Sequence, residues 1–283
     1  MALWKIIILA LIQGACELLP VSSSAHVIMA EKFMGLDPAA PEMTLLLVML
    51  HTGTMFAVIV YFWPKWRSQY FSSIQNLLDV SRLLVLATGV TGAIGLSLMY
   101  FIEGIVLRGT AHAEIEQLFG NLFVISAGLA AVGTMIIVAG KTPPGSRLMG
   151  SRDAVWIGAI QGLCLPIRGF SRSGSTISMA LLLGVERERA EEFSFALAVV
   201  LTPVLIVKEA YRLLKTQPDI LTSGNQLLEL IWPSLAGMTI AFVAGLGALQ
   251  WLSRWLTGGH WKLFGYYCLF AAVAVVSFAI IVP

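Results

Sequence analysis

A short polar stretch near the start of the chain carries side chains that could perform acid–base chemistry. Gln13 and Glu17 are four residues apart, so on a helix they point to the same face. Pro20 cannot continue that helix, and three serines, residues 22–24, stand where a second helix would begin, with His26 just beyond. The serines could simply cap the second helix. Because an ionisable side chain is costly to bury in an apolar segment, Glu17 and His26 are the more informative residues.

A second polar stretch, residues 168–176, combines arginines, glycines and hydroxyl side chains. It contains Arg168, Gly169, Ser171, Arg172, Ser173, Gly174, Ser175 and Thr176. Glycine lets backbone N–H groups approach a ligand, and the N-terminus of a helix favours negative charge. Arginine adds a forked donor that matches phosphate oxygens. The stretch therefore predicts an anion site, since a polar surface turn would not explain why the apolar segments on both sides are so short.

Several familiar motifs are missing from the sequence. It has no GxxxxGK[ST] P-loop, no GxSxG nucleophile turn and no HExxH zinc motif. Cys16, Cys164 and Cys268 are far apart and odd in number, so neither a disulfide framework nor a zinc site is predicted. What remains is a carboxylate, a histidine and hydroxyls facing an arginine-rich stretch. That combination suits phosphoryl transfer, in which positioning and charge neutralisation supply most of the catalysis.

The elements that must position these residues are those of a membrane protein. The 283 residues are 58% hydrophobic and 12% charged, whereas soluble proteins carry about 25% charged residues. The net charge of +2 gives no reason to expect a nucleic-acid partner. Six apolar runs are long enough to cross a bilayer, at 43–64, 83–102, 118–140, 193–207, 230–253 and 263–283.

Each polar stretch is flanked by two apolar segments that are too short to cross singly. Residues 6–16 and 18–30 form the first pair, and residues 154–167 and 173–185 form the second. Segments of this length are typical of re-entrant hairpins. Their polar turns survive at membrane depth only where protein or a water-filled cavity satisfies the backbone.

The two short pairs resemble each other. The sequence IQGAC at 12–16 recurs as IQGLC at 160–164, and three long apolar runs follow each pair, so the second copy enters from the opposite face. We therefore predict an all-α polytopic membrane protein with an inverted-topology repeat, six transmembrane helices and two re-entrant helix hairpins. The first repeat would comprise residues 1–141 with its hairpin at 3–35, and the second residues 150–283 with its hairpin at 153–185.

Lysine and arginine are more frequent in the connections of one face, ten against six. The richer face holds Lys65, Arg67, Arg82, Lys141, Arg147, Arg152, Arg187, Arg189, Arg254 and Lys262, and the other holds Lys5, Lys32, Arg108, Lys208, Arg212 and Lys215. The bias predicts a cytoplasmic richer face, with both termini and the first hairpin on the outer side of a bacterial plasma membrane. A cleavable signal peptide is the alternative for the N-terminus, but a signal peptide has no reason to recur mid-chain.

The two polar stretches resemble the paired signatures of the undecaprenyl-diphosphate phosphatase family, which is also known for bacitracin resistance. The first signature is matched by Gln13, Glu17, Leu19, Pro20, Val21, Ser22, Ser23 and His26, and the second by Gly169, Ser171, Arg172, Ser173 and Thr176. The resemblance covers essentially the whole chain. It implies hydrolysis of undecaprenyl diphosphate to the monophosphate and inorganic phosphate, which recycles the lipid carrier of cell-wall synthesis.

The resemblance also implies roles for individual residues. The catalytic residues would be Glu17, Ser23, His26 and Arg172, with Ser23, His26 or water as the nucleophile. The diphosphate would be bound by Ser22, Arg168, Gly169, Ser171, Ser173, Gly174 and Thr176. A divalent cation, Mg²⁺ or Ca²⁺, would be held by Glu17 with help from Gln13. His51 and Gln161 are expected just behind these residues, although His51 could equally be a histidine that only packs between helices.

Two positions depart from the family pattern, and two other functions stay open. Arg168 stands where the family has proline, and Gln13 stands where glutamate is commoner, so a paralogue with altered lipid preference or reduced metal dependence is one alternative. A transporter or flippase is the other, in which Arg172 would bind a phosphate headgroup without cleaving it. The candidate nucleophiles beside the anion site favour the phosphatase. The oligomeric state is left open, a homodimer included.

Overall fold

The computed structural model describes residues 2–37, 41–106, 120–216 and 224–281. These ranges contain helices and their connections, and the sole β pairing in them is one isolated bridge between Arg147 and Val185. The helices are α1 (Leu3–Leu18), α2 (Ser23–Met34), α3 (Pro41–Gln69), α4 (Ile74–Phe101), α5 (Leu122–Lys141), α6 (Ser151–Cys164), α7 (Arg172–Leu182), α8 (Arg187–Thr216), α9 (Gly224–Thr257) and α10 (Trp261–Ile281). A π-helical turn, Ile102–Val106, extends α4.

Six helices of the described ranges are long and apolar enough to cross a membrane, which confirms the predicted number of spans. They are α3, α4, α5, α8, α9 and α10, and the chain is a multi-pass membrane protein. Several extend beyond the predicted runs. Helix α4 begins at Ile74 rather than at 83, because Ser73 caps it by accepting a hydrogen bond from the Asn76 N–H at 3.1 Å. Residues 118–119 and 282–283, the ends of two predicted runs, lie outside the described residues.

The connection predicted between the first two spans is shorter in the structure. Only residues 70–73 join α3 to α4, so Arg67 and Arg82 lie inside helices and not in a loop. Arg108 and the side chains of Lys208, Arg212 and Lys215 lie outside the described residues. Fewer lysines and arginines therefore lie in the described connections between helices than the count along the chain assigned to them.

Two pairs of short helices hold the two polar stretches. The pair α1–α2 is broken at residues 19–22, and the pair α6–α7 at residues 165–171. The second apolar segment begins as a helix only at Ser23 and not at residue 18, because Pro20 lies in the turn and Ser22 has a φ of 67°. Gly35 ends α2 in the left-handed conformation, with a φ of 61°.

The first helix of each short pair packs on a long helix from the other half of the chain, which we call exchanged packing. Helix α1 packs on α9, α6 packs on α4, and α5 and α10 share the most extensive contact. Small residues stand where the backbones come closest. A Cβ atom on Gly133 of α5 would lie 2.9 Å from the carbonyl oxygen of Gly265 of α10. Only glycine allows this approach, as is common between membrane helices.

Helix α8 is fixed against α3 by a buried polar group as well as by aromatic packing. Glu192 is fully buried and forms ion pairs with Lys65 at 3.8 Å and Arg189 at 3.7 Å. About one turn away along each helix, Phe62 of α3 stacks on Phe195 of α8 with ring centroids 5.3 Å apart. Because buried charges are stable only when paired, this contact fixes the start of α8 against α3.

Candidate active site

Glu17, in the last turn of α1, is the centre of a network that joins both short helix pairs. Its Oε2 atom accepts hydrogen bonds from the Ser23 hydroxyl at 2.6 Å and from the Gln13 amide at 3.2 Å. Its Oε1 atom accepts from Arg172 Nη2 at 3.2 Å. The His51 Nε2 atom lies 3.9 Å from Oε2. The Glu17 and Arg172 side chains remain 20% and 22% exposed, so a ligand can reach the pair.

The turn between α1 and α2 presents Ser23 to Glu17 through an unusual backbone conformation. Ser22 is the sole non-glycine residue with a positive φ among the described residues. Such a conformation costs about 1–3 kcal/mol and is found mostly at functional sites. It turns the chain so that the first hydroxyl of α2 lies over the end of α1.

Helices α7 and α10 hold this turn in place. The Ser173 hydroxyl donates to the Leu19 carbonyl at 3.2 Å, and the Cys268 thiol donates to the Pro20 carbonyl at 3.3 Å. A Cβ on Gly174 would lie 3.2 Å from the same Pro20 oxygen. The carbonyls freed by the break in the helix are therefore satisfied by protein.

The loop before α7 lies tightly against α5. Gly169 has a φ of 91°, and a Cβ there would overlap the Ile125 carbonyl oxygen. From the other side, a Cβ on Gly128 would lie 2.6 Å from the Arg168 carbonyl oxygen. Ser171 then caps α7 by accepting from the Gly174 N–H at 3.2 Å. Two glycines and a cap thus determine where Arg172 begins its helix.

Arg172 is held between Glu17 and Phe195 with one guanidinium nitrogen unpartnered. Nη2 contacts Glu17, the Cζ atom lies 6.0 Å from the ring centroid of Phe195, and Nη1 is buried with no hydrogen-bond partner. An unsatisfied buried donor is costly, so this nitrogen is ready for an anionic oxygen. The N-terminus of α7 adds its partial positive charge at the same place.

The described residues offer few protein ligands for the predicted divalent cation. Within the described ranges no group of three or more histidine, cysteine, aspartate or glutamate side chains is placed to hold a metal. The oxygen donors beside Glu17 are the Ser23 hydroxyl and the amide of Gln13, whose NH₂ group here donates to the carboxylate. One carboxylate supplemented by substrate phosphates is a usual environment for Mg²⁺.

Comparison with known proteins identifies the family. The sequence model of the family described as "Bacitracin resistance protein BacA" matches residues 6–274. The chain belongs to this family. It is 53% identical over 281 residues to "Undecaprenyl-diphosphatase 2" of Acinetobacter baylyi, covering 99% of both chains. It is also 33% identical over 278 residues to an "Undecaprenyl-diphosphatase" of Anaeromyxobacter sp., covering 97% of this chain and 87% of that protein. The resemblance found in the two polar stretches is therefore confirmed.

The structure of this BacA-family chain directs His26 away from Glu17. The His26 Nδ1 atom is 2.8 Å from the Ser22 carbonyl oxygen and must donate to it, and Nε2 is 2.6 Å from the Tyr267 hydroxyl. The neutral ring therefore accepts the Tyr267 proton at Nε2. The two rings also stack, with centroids 5.7 Å apart. Both nitrogens of the predicted catalytic histidine are thus engaged outside the Glu17 network.

The remaining predicted residues lie at different distances from the network. Thr176 shares a hydrogen bond of 2.6 Å with Ser194, and the Ser22 hydroxyl bonds to that of Ser24 at 3.2 Å. Gln161 is engaged on α4 instead, where its amide donates to Thr91 at 3.1 Å. Arg168 interacts electrostatically with Glu31, a buried residue of α2. The binding roles of Thr176, Ser22 and Arg168 and the supporting role of Gln161 stay predictions.

Some residues that contact the network or its predicted members were not predicted as site residues. Among them are Ser194, Phe195 and Tyr267. The first two follow the arginine-rich stretch by about twenty positions, but an aromatic side chain in an apolar run gives no sign that it lies beneath a guanidinium. Tyr267 is 241 positions from His26, so only the tertiary fold shows their contact.

Proposed function

We propose that the chain hydrolyses undecaprenyl diphosphate to undecaprenyl monophosphate and inorganic phosphate, and so recycles the lipid carrier of cell-wall synthesis. It is an enzyme of the undecaprenyl-diphosphatase type. Membership of the BacA family and the names of its relatives support the substrate. The observation that carries the chemistry is the contact of Glu17 with both Ser23 and Arg172. It combines a base, a hydroxyl and an anion-binding group.

The diphosphate binds at the start of α7. Arg172 directs its unpartnered Nη1 to the phosphate oxygens, and the N-terminus of α7 adds its partial positive charge. Ser171, Ser173 and Thr176 surround the same turn. Because charge develops on the phosphate oxygens during transfer, donors fixed in advance lower the barrier without reorganisation.

Ser23 is the nucleophile that the geometry favours. Its hydroxyl already donates to Glu17 Oε2, so the carboxylate accepts the proton as Ser23 Oγ attacks the terminal phosphorus. The bond between that phosphorus and the bridging oxygen breaks, undecaprenyl monophosphate leaves, and water then hydrolyses the phosphoserine. Water activated directly by Glu17 is the alternative. His26 would first have to leave both Ser22 and Tyr267.

A divalent cation, Mg²⁺ or Ca²⁺, supplies charge neutralisation at the diphosphate when it is bound. Glu17 and the Ser23 hydroxyl would hold it together with substrate oxygens. Gln13 contributes a neutral amide in place of a second carboxylate, which lowers the negative charge available to a cation.

The architecture that supports this site is an inverted repeat of residues 1–141 and 150–283. Each repeat contains one re-entrant hairpin, α1–α2 or α6–α7, followed by three spans. The exchanged packing of α1 on α9 and of α6 on α4 supports this arrangement, because a two-fold relation between the repeats interchanges the two contacts. The site then opens to the periplasmic or outer side of a bacterial plasma membrane.

The function is tested by phosphate release from undecaprenyl diphosphate in detergent. Wild type is compared with Glu17→Gln, and Glu188→Gln serves as the control because Glu188 is a half-exposed residue in the first turn of α8. We expect release by wild type and by Glu188→Gln and a loss of about a hundredfold or more in Glu17→Gln. Retained binding of the lipid without any phosphate release by wild type would support a flippase instead.

A further inference from the structure

An apolar cavity of about 250 Å³ opens between α1, α2, α5 and α10. His26 is the one polar side chain among the nine residues that line it, and the others include Met29, Phe33, Leu129 and Ala271. Phe33 is 69% exposed, so this end of the wall faces the surroundings of the protein. The catalytic chemistry proposed above makes no use of this cavity.

The cavity runs away from the Glu17 network along two helices. On α2, His26, Met29 and Phe33 follow one another at helical spacing on the same face, and Ser23 stands one turn before His26. Seven positions separate His26 from Phe33, which corresponds to about 10 Å of helix. On α10, Ala271 lies one turn beyond Tyr267, the hydrogen-bond partner of His26. The polar end of the cavity therefore adjoins the turn that carries Ser23, and its other end is apolar.

We propose that this cavity binds the first isoprene units of the lipid substrate, those next to the diphosphate. This inference rests on the proposed function. His26 lies between the turn that carries Ser23 and the apolar part of the lining, so a chain whose phosphate is held by Arg172 and Ser23 can enter the cavity past His26. Pockets that enclose a drug-sized ligand measure about 300–1,000 Å³, so this cavity takes only the start of the chain and leaves the rest in the bilayer.

The occupant is the substrate chain and not the acyl chain of a bilayer phospholipid. The reason is continuity, since His26 both lines the cavity and bonds to the Ser22 carbonyl in the turn that presents Ser23 to Glu17. The hydrogen bond between His26 and Tyr267 also satisfies the polar atoms at the cavity wall. His26 can therefore face an apolar chain without an unpaired ring nitrogen.

The first test measures the kinetics of a variant whose larger side chain fills the cavity. Ala271→Phe adds a ring inside it, and Val273→Phe, two residues along α10 at a position 63% exposed, is the matched control. We expect Ala271→Phe to raise the KM for undecaprenyl diphosphate about tenfold or more, while the control keeps the wild-type KM. Farnesyl diphosphate should suffer the same rise, because only the first units enter the cavity. A rise confined to undecaprenyl diphosphate, or no rise in a folded Ala271→Phe variant, would overturn the inference.

A second test does not depend on turnover. A farnesyl diphosphate analogue with a photoreactive group on its first isoprene unit is cross-linked to the purified protein, and the labelled peptides are identified by mass spectrometry. Labelling of α2 and α10 that Ala271→Phe abolishes is the expected result, and Ala271→Leu replaces that variant if it does not fold. Labelling elsewhere contradicts the cavity, whether or not wild type releases phosphate. Failure of hydrolysis alone contradicts only the proposed function.

Discussion

The carboxylate of Glu17 and the guanidinium of Arg172 lie 3.2 Å apart, although 155 positions separate them in the chain. One belongs to the helix pair α1–α2 and the other to α6–α7. Their contact joins the two short helix pairs, and neither pair contains both an arginine and a glutamate. The proposed hydrolysis depends on this contact.

Replacing Arg172 with lysine removes the forked donor but keeps the positive charge. We expect kcat/KM to fall about a hundredfold, because an ammonium group cannot contact Glu17 and present a second fixed donor to the phosphate at once. Arg82→Lys is the control, since Arg82 is largely exposed and forms its ion pair with Asp79 of the same helix. Steady-state kinetics check the prediction, and activity within twofold of wild type in Arg172→Lys would contradict it.

Ser23 and Ser24 are adjacent hydroxyls, and only Ser23 bonds to Glu17. Ser23→Ala should lower kcat by about a factor of 10²–10⁴, the usual contribution of a positioned proton-transfer pair. Ser24→Ala should retain most of the activity. Rapid-quench trapping of a phosphoenzyme in wild type would identify the nucleophile. If Ser23→Ala turns over normally, water is the attacking group and this assignment of the nucleophile is wrong.

Much of the fold could be predicted from the sequence, because hydropathy and helix length are local properties. The six spans and both short helix pairs follow from runs of apolar residues and from Pro20 and residues 168–176. Helix ends were less predictable. Capped by Ser73, α4 begins well before the apolar run at 83, since polar residues also form helix once they are capped.

The site was predictable in its central residues and not in its surroundings. Glu17 and Arg172 stand out because a charge is costly within an apolar segment. The direction of His26 depends on Tyr267, and the position of Arg172 depends on Phe195, and both partners come from spans that look like any other apolar helix. Gln161 is the opposite case. It has the position in IQGLC that Gln13 has in IQGAC, but its side chain bonds to Thr91.

Gln13 should determine how strongly the enzyme responds to divalent cations. Its amide donates to Glu17 at 3.2 Å, whereas a glutamate there would place a second negative charge beside the first. Gln13→Glu should therefore increase the stimulation by Mg²⁺ or Ca²⁺ relative to wild type, since like charges so close are stabilised by a shared cation. The measurement is activity across a titration of each cation after chelation. An equal response of both proteins would contradict this reading of Gln13.

The Phe195 ring should stabilise Arg172 by a cation–π contact in addition to filling space beside it. Phe195→Leu removes the cation–π contact, which is worth about 0.5–2 kcal/mol, so we expect kcat/KM to fall several-fold or more. Phe193→Leu is the matched control, as Phe193 is equally buried on the same helix. Both variants should lose stability in thermal unfolding, but only Phe195→Leu should lose activity beyond that effect. Equal activities would assign Phe195 to packing alone.

Gly169 should be intolerant of even the smallest side chain. Its φ of 91° is strained for any other residue, and the Ile125 carbonyl oxygen occupies the space that an alanine Cβ would need. We expect Gly169→Ala to destabilise the protein by more than about 1 kcal/mol and to displace Arg172. Gly89→Ala, in α4 with open space at the Cβ position, should leave stability unchanged or slightly raised. Thermal unfolding in detergent compares the two, and equal midpoints would contradict the tight loop.

The most direct test of the shared site is a double-mutant cycle for phosphate release with Glu17→Gln, Arg172→Gln and both together. If the two residues act as one unit across the helix pairs, the double variant is no slower than the slower single variant. If the losses in kcat/KM multiply, Glu17 and Arg172 act independently, and the claim that both short helix pairs form one catalytic unit is contradicted.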